Sequence, residues 1–116
     1  MKDFPQFMKN PLNRIRQASQ FTKDIEGYVF DGLDGSQMAF WTCHHDRTSE
    51  AHAHAYDEYI VCVGGRYGVI INGETVTLHP GGECFIPAGT VHGGSCIAGT
   101  RTIHAFGGKR AERADT

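Results

Sequence analysis

Short runs of β-branched and aromatic residues, separated by turns rich in glycine, proline, asparagine and aspartate, dominate the sequence from residue 25 onward. The clearest turn is Asn72-Gly73, a dipeptide suited to a tight hairpin, which separates Tyr67–Ile71 from Glu74–Leu78. The other predicted strands, bounded by similar turns, cover residues 26–30, 37–43, 83–86, 91–97 and 100–106. Leucine is rare and glycine reaches 15 residues, which favours strands over packed helices. The sequence therefore predicts an all-β sandwich or barrel.

The length of 116 residues is typical of one domain with a single hydrophobic core. We expect residues 25–108 to form the barrel, residues 1–24 to form an N-terminal arm, and residues 109–116 to form a charged, solvated C-terminal tail. Asn10 before Pro11 favours one short helical turn in the arm. The aromatic residues of the arm also suit an extended segment that lies on the barrel or on a partner subunit; they are Phe4, Phe7 and Phe21.

Charge and hydropathy exclude several classes of partner. The formal net charge is -2, so the chain has no excess of positive charge for binding nucleic acid or an anionic membrane. No segment approaches the roughly 18 apolar residues of a membrane helix, and no signal-like apolar run follows Met1, so we expect a soluble cytoplasmic protein. In that compartment the four widely spaced cysteines are expected to be reduced; they are Cys43, Cys62, Cys84 and Cys96.

The segment from His52 to Glu58 carries the strongest chemical signal. His52 and His54 are two residues apart and Glu58 keeps the same parity, so on a strand all three side chains would project from one face. Two imidazoles and a carboxylate suit a divalent transition metal better than calcium. The alternative is that these are ordinary polar surface residues.

Two gapped patterns extend this signal, and with them the sequence closely resembles the cupin superfamily, in particular small single-domain metal-binding cupins of the cupin 2 type. The first pattern is His52-x-His54-x3-Glu58-x6-Gly65, and the second is Gly81-x5-Pro87-x-Gly89-x2-His92. The resemblance implies a cupin-type jelly-roll barrel, or double-stranded β-helix. It also implies that the bend at Pro87 and Gly89 brings His92 to the other three ligands.

The implied site binds one divalent ion through three histidines and one glutamate, with the metal being Mn, Fe, Ni, Zn, Co or Cu. Four protein ligands leave open positions on an octahedral ion, as in catalytic sites. The sequence departs from the family pattern at two positions: Asp46 stands in place of a glycine, and Cys96 stands in place of an asparagine.

Several other residues are candidates for a role beside the metal. Strand parity from His92 brings Cys96 to the ligand-facing side, as a pocket thiol or as a small packing residue. His104 and Tyr56 are candidate catalytic residues, as is Tyr67, but a structural or exposed position is the commoner case for such residues. Arg101 could bind a substrate carboxylate only if it faced inward, and an outward arginine is the commoner case.

These observations favour a metal-dependent enzyme that acts on a small oxygen-rich molecule by isomerase, lyase or dioxygenase chemistry. The alternative is a non-catalytic barrel that binds or senses a sugar or organic acid; a purely structural metal is the weakest interpretation. Tyr59, Val61 and Val63 have the opposite parity to Glu58 and would give the barrel an apolar outer face. Such a face predicts a homodimer, which is also common among similar cupins.

Overall fold

The computed structural model describes residues 1–16 and 25–114, and nine strands in these ranges form two antiparallel sheets. The strands are β1 Ile25–Asp31, β2 Gln37–Cys43, β3 Arg47–Thr48, β4 Glu58–Gly64, β5 Tyr67–Ile71, β6 Glu74–Leu78, β7 Glu83–Ile86, β8 Gly93–Cys96 and β9 Arg101–Phe106. One sheet has the order β1-β2-β9-β4-β7, and the other has the order β3-β8-β5-β6. The predicted all-β jelly-roll fold is confirmed.

The predicted hairpin at Asn72-Gly73 is confirmed in register and in backbone conformation. Asn72 has φ 53° and Gly73 has φ 78°, and Ile71 pairs directly with Glu74. Positive φ at both turn positions gives the loop the twist of the flanking strands. The residues that favour this conformation therefore set the pairing of β5 with β6.

The predicted parity of β4 is also confirmed. Glu58, Ile60 and Cys62 are buried inside the barrel, whereas Tyr59 and Val61 lie on the outer face. Ile60 and Cys62 form an apolar cluster with residues of both sheets, namely Val69, Leu78 and Ile86. This cluster fills one end of the barrel, because alternate residues of each strand project to the same side.

The described part of the N-terminal arm packs on the barrel of its own chain. The side chain of Asn10 accepts a hydrogen bond from the Leu12 amide at 3.0 Å, at the start of the short helical turn Pro11–Asn13. The ring of Phe4 packs edge-on against Phe40 of β2, with ring centroids 5.8 Å apart. Phe21 and the rest of residues 17–24 lie outside the described residues.

The expectation of a solvated C-terminal tail is wrong for residues 110–113. Ala111 is buried, and the backbone amides of Arg110 and Ala111 donate to Oε1 of buried Gln37 at 2.7 and 2.9 Å. Arg113 binds Asp31 and the carbonyl of Val29. The charged composition of this segment gives no indication of its backbone contacts, because they are made by Gln37, a residue that is distant in the sequence. No helix in the described ranges is long and apolar enough to cross a membrane.

Candidate metal centre

His52 and His54 lie in the loop that leads into β4, and not on one continuous strand with Glu58 as predicted. His52 pairs with His92 in an isolated bridge through two backbone hydrogen bonds of 2.8 Å, and β4 begins only at Glu58. The amide of Gly89 donates to the carbonyl of His54 at 2.8 Å. These contacts tie the bend at Pro87 and Gly89 to the histidine loop and place His92 beside His52.

The three histidines form a compact cluster: His52, His54 and His92 each offer a ring nitrogen within 4.8 Å of the other two. Nδ1 of His52 donates to the carbonyl of Glu50 at 3.0 Å, and Nδ1 of His92 donates to the carbonyl of Thr90 at 2.9 Å. A proton fixed on Nδ1 leaves Nε2 as the nitrogen that can bind a metal. The backbone thus orients two of the three rings for coordination.

Glu58 brings one carboxylate oxygen to the same point. Its Oε1 atom lies 3.3 Å from Nε2 of His54 and 3.3 Å from Nε2 of His92. Both Oε1 of Glu58 and Nε2 of His54 are buried, and neither makes a hydrogen bond within the described residues. Buried polar atoms without partners are rare in folded proteins, and converging lone pairs of this kind suit a cation. The donor set therefore fits a divalent transition metal.

The protonation states of these residues are also compatible with metal binding. Burial lowers the pKa of His54 to about 4, and burial lowers the pKa of His52 as well. Burial alone would raise the pKa of Glu58, but the hydrogen bond to His104 and the nearby imidazole of His92 outweigh it and lower the pKa. At neutral pH the glutamate is charged and His54 is neutral, as metal coordination requires.

His104 is buried on the inner face of β9 and contacts Glu58. Its Nδ1 lies 2.8 Å from Oε2 of Glu58, and its Nε2 lies 3.1 Å from the hydroxyl of Thr102. His104 therefore holds the carboxylate oxygen that is turned away from the three imidazoles. This placement suits a positioning residue for Glu58.

The two candidate tyrosines occupy different places. Tyr56 stacks on the ring of His54, with centroids 4.9 Å apart, and it does not line the cavity beside the cluster. Tyr67 does line that cavity. Its hydroxyl lies so close to Gly94 that any side chain at residue 94 would overlap the hydroxyl. Burial raises the pKa of Tyr67, so its hydroxyl is a proton-bearing hydrogen-bond donor at neutral pH.

Cys96 lines the same cavity, together with Cys43 from the end of β2. The two thiols interact, which raises the pKa of Cys43 and lowers that of Cys96. All four cysteines are free thiols, as the sequence predicted. Cys96 is thus buried and also in contact with the pocket, which combines its two predicted alternatives.

The cavity of about 70 Å³ is bounded by both sheets and contains two arginines that sequence reasoning missed. Arg47 lies on β3, a two-residue strand in a segment where no strand was predicted, and Arg110 lies in the segment predicted to be a solvated tail. Arg101, the arginine considered from sequence, is outside the barrel: it binds the carbonyl of Met1 and lies over the ring of Phe4. Arg47 pairs directly with Cys96 across β3 and β8. Knowledge of this register would have placed Arg47 on the same side of the sheet as Cys96, and therefore beside the cavity.

Solved structures with the same fold come from several functional contexts. KdgF from Halomonas sp. has a TM-score of 0.68 and 21% identity, with 75% of this chain and 81% of that chain covered. An RmlC-like cupin from Shewanella frigidimarina has a TM-score of 0.70 and 20% identity, covering 83% and 84%. The polyketide cyclase RemF from Streptomyces resistomycificus has a TM-score of 0.67 and 19% identity, covering 90% and 77%. At these identities the likeness concerns the fold.

The family of the chain follows from its sequence. No curated protein matches it. The model of the Cupin_2 family, described as a cupin domain, matches residues 39–109, a range that runs from β2 to just beyond β9 and contains the whole histidine and glutamate cluster. The chain therefore belongs to the Cupin_2 family of the cupin superfamily.

Proposed function

We propose that this cupin is a metal-dependent enzyme that binds one divalent transition metal ion through His52, His54, Glu58 and His92. The observation that carries this proposal is the convergence of Oε1 of Glu58 with Nε2 of two histidines, at 3.3 Å each, without hydrogen bonds at Glu58 Oε1 or His54 Nε2 within the described residues. A structural zinc site would more often use a closed set rich in cysteine. Here the ligands are one oxygen and three nitrogens beside an accessible cavity.

The proposed substrate is a small oxygen-rich molecule that enters the cavity next to these ligands. A bound divalent ion supplies Lewis acidity to such a molecule. His104 positions Glu58, and the Tyr67 hydroxyl faces the cavity as a candidate proton donor. Proton movement of this kind favours isomerase or lyase chemistry, whereas dioxygenase chemistry would need a redox-active metal.

Elemental analysis of the natively purified protein tests the metal site. Wild type should retain about one metal ion per chain, and His52→Ala should retain a small fraction of it. His79→Ala is the matched control, because His79 lies in an exposed turn between β6 and β7. Equal trace metal in wild type and His52→Ala would contradict the site, while the identity of the ion separates redox from Lewis-acid chemistry.

Proton nuclear magnetic resonance in D2O separates an enzyme from the alternative, a barrel that binds a ligand without transforming it. The metal-loaded protein is incubated with a panel of small 2-oxo acids and hydroxy acids. An enzyme should convert one of them or exchange one of its carbon-bound protons for deuterium, and Glu58→Gln should not. Line broadening on ligand binding without any chemical change would favour the non-catalytic barrel.

We also propose that two copies of the chain associate through the outer face of the five-stranded sheet. One row of directly paired residues crosses all five strands on this face and consists of Phe30, Met38, Ala105, Tyr59 and Phe85. All but Ala105 are among the exposed large hydrophobic residues. A contiguous apolar row of this kind is typical of an interface.

Light scattering after size-exclusion chromatography measures this association directly. Wild type should elute with twice the mass of one chain, and Phe85→Glu should shift it toward the monomer. Val76→Glu is the control, because Val76 is equally solvent-facing but lies on β6 of the other sheet. A monomeric wild type would contradict the proposal.

A further inference from the structure

The wall of the cavity carries more positive than negative charge. Arg47 and Arg110 line it, whereas Glu58 is the one carboxylate among the described residues of the lining. That carboxylate is already engaged by His104 and lies against His92. With a divalent ion bound, the ion and two arginines outweigh one glutamate, giving a formal charge of +3. Charges beside the low-dielectric wall of a cavity act more strongly than they would in water.

The two arginines serve different parts of the cavity. Arg47 pairs directly with Cys96, so both side chains project from the same face of the four-stranded sheet. The charge of Arg47 acts on the thiol of Cys96 and on the hydroxyl of Tyr67. Arg110 instead acts on the imidazoles of the three histidines. The guanidinium of Arg110 therefore belongs to the part of the cavity with the proposed metal ligands, and that of Arg47 belongs to the part with the thiols.

Both arginines are held by ordered backbone. Arg47 lies in a strand that pairs with β8. The amide of Arg110 donates to Oε1 of Gln37 at 2.7 Å, and Nε2 of Gln37 donates to the carbonyl of Ala111 at 3.0 Å. Gln37 is only 3% exposed, so this glutamine fixes the C-terminal segment across the barrel. A recognition site benefits from charges that are positioned before the ligand arrives.

The size of the cavity limits what it can hold. Its volume of about 70 Å³ is well below the range of roughly 300 Å³ and above that is typical of drug-sized ligands. Polar side chains on the wall include the Tyr67 hydroxyl and Ser49. These features favour a compact polar ligand with few non-hydrogen atoms.

We propose that the ligand of this cavity is a small organic acid bound as its carboxylate anion, with Arg110 and Arg47 recognising its negative charge. The inference rests on the proposed function for the metal ion, and it names the chemical class of the substrate. Guanidinium groups suit this role because their planar array of donors matches a carboxylate.

Isothermal titration calorimetry with malonate, and with malonamide as its neutral isostere, tests the inference on the full chain after unbound metal has been removed. Malonate should bind at least about tenfold more tightly than malonamide, and Arg47→Gln and Arg110→Gln should each weaken malonate binding about tenfold or more. Arg47→Lys keeps the positive charge but lacks the planar guanidinium, so its affinity for malonate should lie between those of wild type and Arg47→Gln. Lys109→Gln is the matched control, because its side chain is exposed and one residue from Arg110.

Metal content measured in the same samples separates the two proposals. If wild type retains its metal but binds malonate no better than malonamide, the anionic ligand is excluded and the metal-dependent function stands. If no metal is retained but malonate binds in an arginine-dependent way, the anion site stands without the metal. Equal losses in Lys109→Gln and Arg110→Gln would overturn specific recognition, since general electrostatics would then explain both.

Discussion

Strand β4 passes through two regions of the barrel interior that differ in their chemistry. At its start, Glu58 faces three imidazoles, and its Oε1 atom makes no hydrogen bond within the described residues. Two residues further on, Ile60 and then Cys62 are buried in an apolar cluster that both sheets build. The same parity therefore directs one strand into a polar cavity and then into a hydrophobic core.

The contrast separates what stabilises the fold from what serves chemistry. Removing apolar surface from water favours folding, by about 1.5–3 kcal/mol for a fully buried aliphatic side chain. A buried polar atom without a partner costs about 1–3 kcal/mol, and the polar end has two such atoms in the described residues, Oε1 of Glu58 and Nε2 of His54. The apolar end therefore supports a polar end that is unfavourable until a ligand binds there.

Replacing a residue of the apolar end should have the largest effect on folding. Ile60→Ala removes a side chain that is 1% exposed, and we expect the free energy of unfolding to fall by about 2–5 kcal/mol in urea titrations. The metal content per folded molecule should not change. Val76→Ala, at an exposed position of β6, should cost under about 0.5 kcal/mol. Loss of metal from folded Ile60→Ala would mean that the two ends are not separable.

The matching change at the polar end should act on the metal. Glu58→Gln keeps the size of the side chain but removes the anionic oxygen. We expect metal affinity to fall by about 100-fold or more, because loss of a residue that only supports a ligand already costs about 10–100-fold. Competition with a chelator of known affinity measures this change. Glu74→Gln, at an exposed position in β6, is the control and should bind metal like wild type.

The fold was largely predictable because its signals are local. The hairpin at Asn72-Gly73 depends on backbone preferences of two adjacent residues, and the inward parity of Ile60 depends only on the period of a strand. The proposed ligands were also predicted from sequence, although His52 and His54 reach the cluster from a loop rather than from a strand. The bridge between His52 and His92 gives this loop strand-like pairing, so the side chains of His52 and His54 still project to the same side.

The surroundings of the site were not predictable in the same way, because they depend on contacts between distant segments. Oε1 of Gln37 binds the backbone of Arg110 and Ala111, some 73 and 74 residues later, and nothing in a charged C-terminal composition signals such an anchor. The hydrogen bond between His104 and Glu58 spans 46 residues. Glu58 could be identified as the partner of His104 only once the pairing of β4 with β9 was known.

The His104 contact leads to a smaller expected effect on the polar end. His104→Phe preserves an aromatic ring beside Phe106 but removes the hydrogen bond to Glu58, so metal affinity should fall by about 10–100-fold. His104→Gln can still donate to the carboxylate and should recover part of the loss. Equal affinities of the Phe and Gln variants would show that His104 contributes packing alone.

The smallest expected effect is a pH dependence that only the polar end should have. Burial lowers the pKa of His54 to about 4 from its ordinary value of 6.5, and burial lowers the pKa of His52 too. Between pH 6.5 and about 5 the unfolded chain takes up protons that these folded residues do not, so the metal-free protein should become less stable as the pH falls. Each of these protons contributes at most about 1.4 kcal/mol per pH unit to the slope.

The other titrating residues of the cluster change outside this window. The nearby carboxylate of Glu58 raises the pKa of His92, so the stability from His92 is complete below pH 6.5 and is lost only at higher pH. Glu58 has a lowered pKa, so its contribution is retained above its ordinary value of 4.5 and is lost in stronger acid. Urea titrations between pH 6.5 and 5 should therefore give a shallower slope for His54→Asn than for wild type, both prepared with a chelator. Parallel slopes would mean that His54 is protonated in the folded state, and the polar end would then lack the neutral imidazole on which metal binding depends.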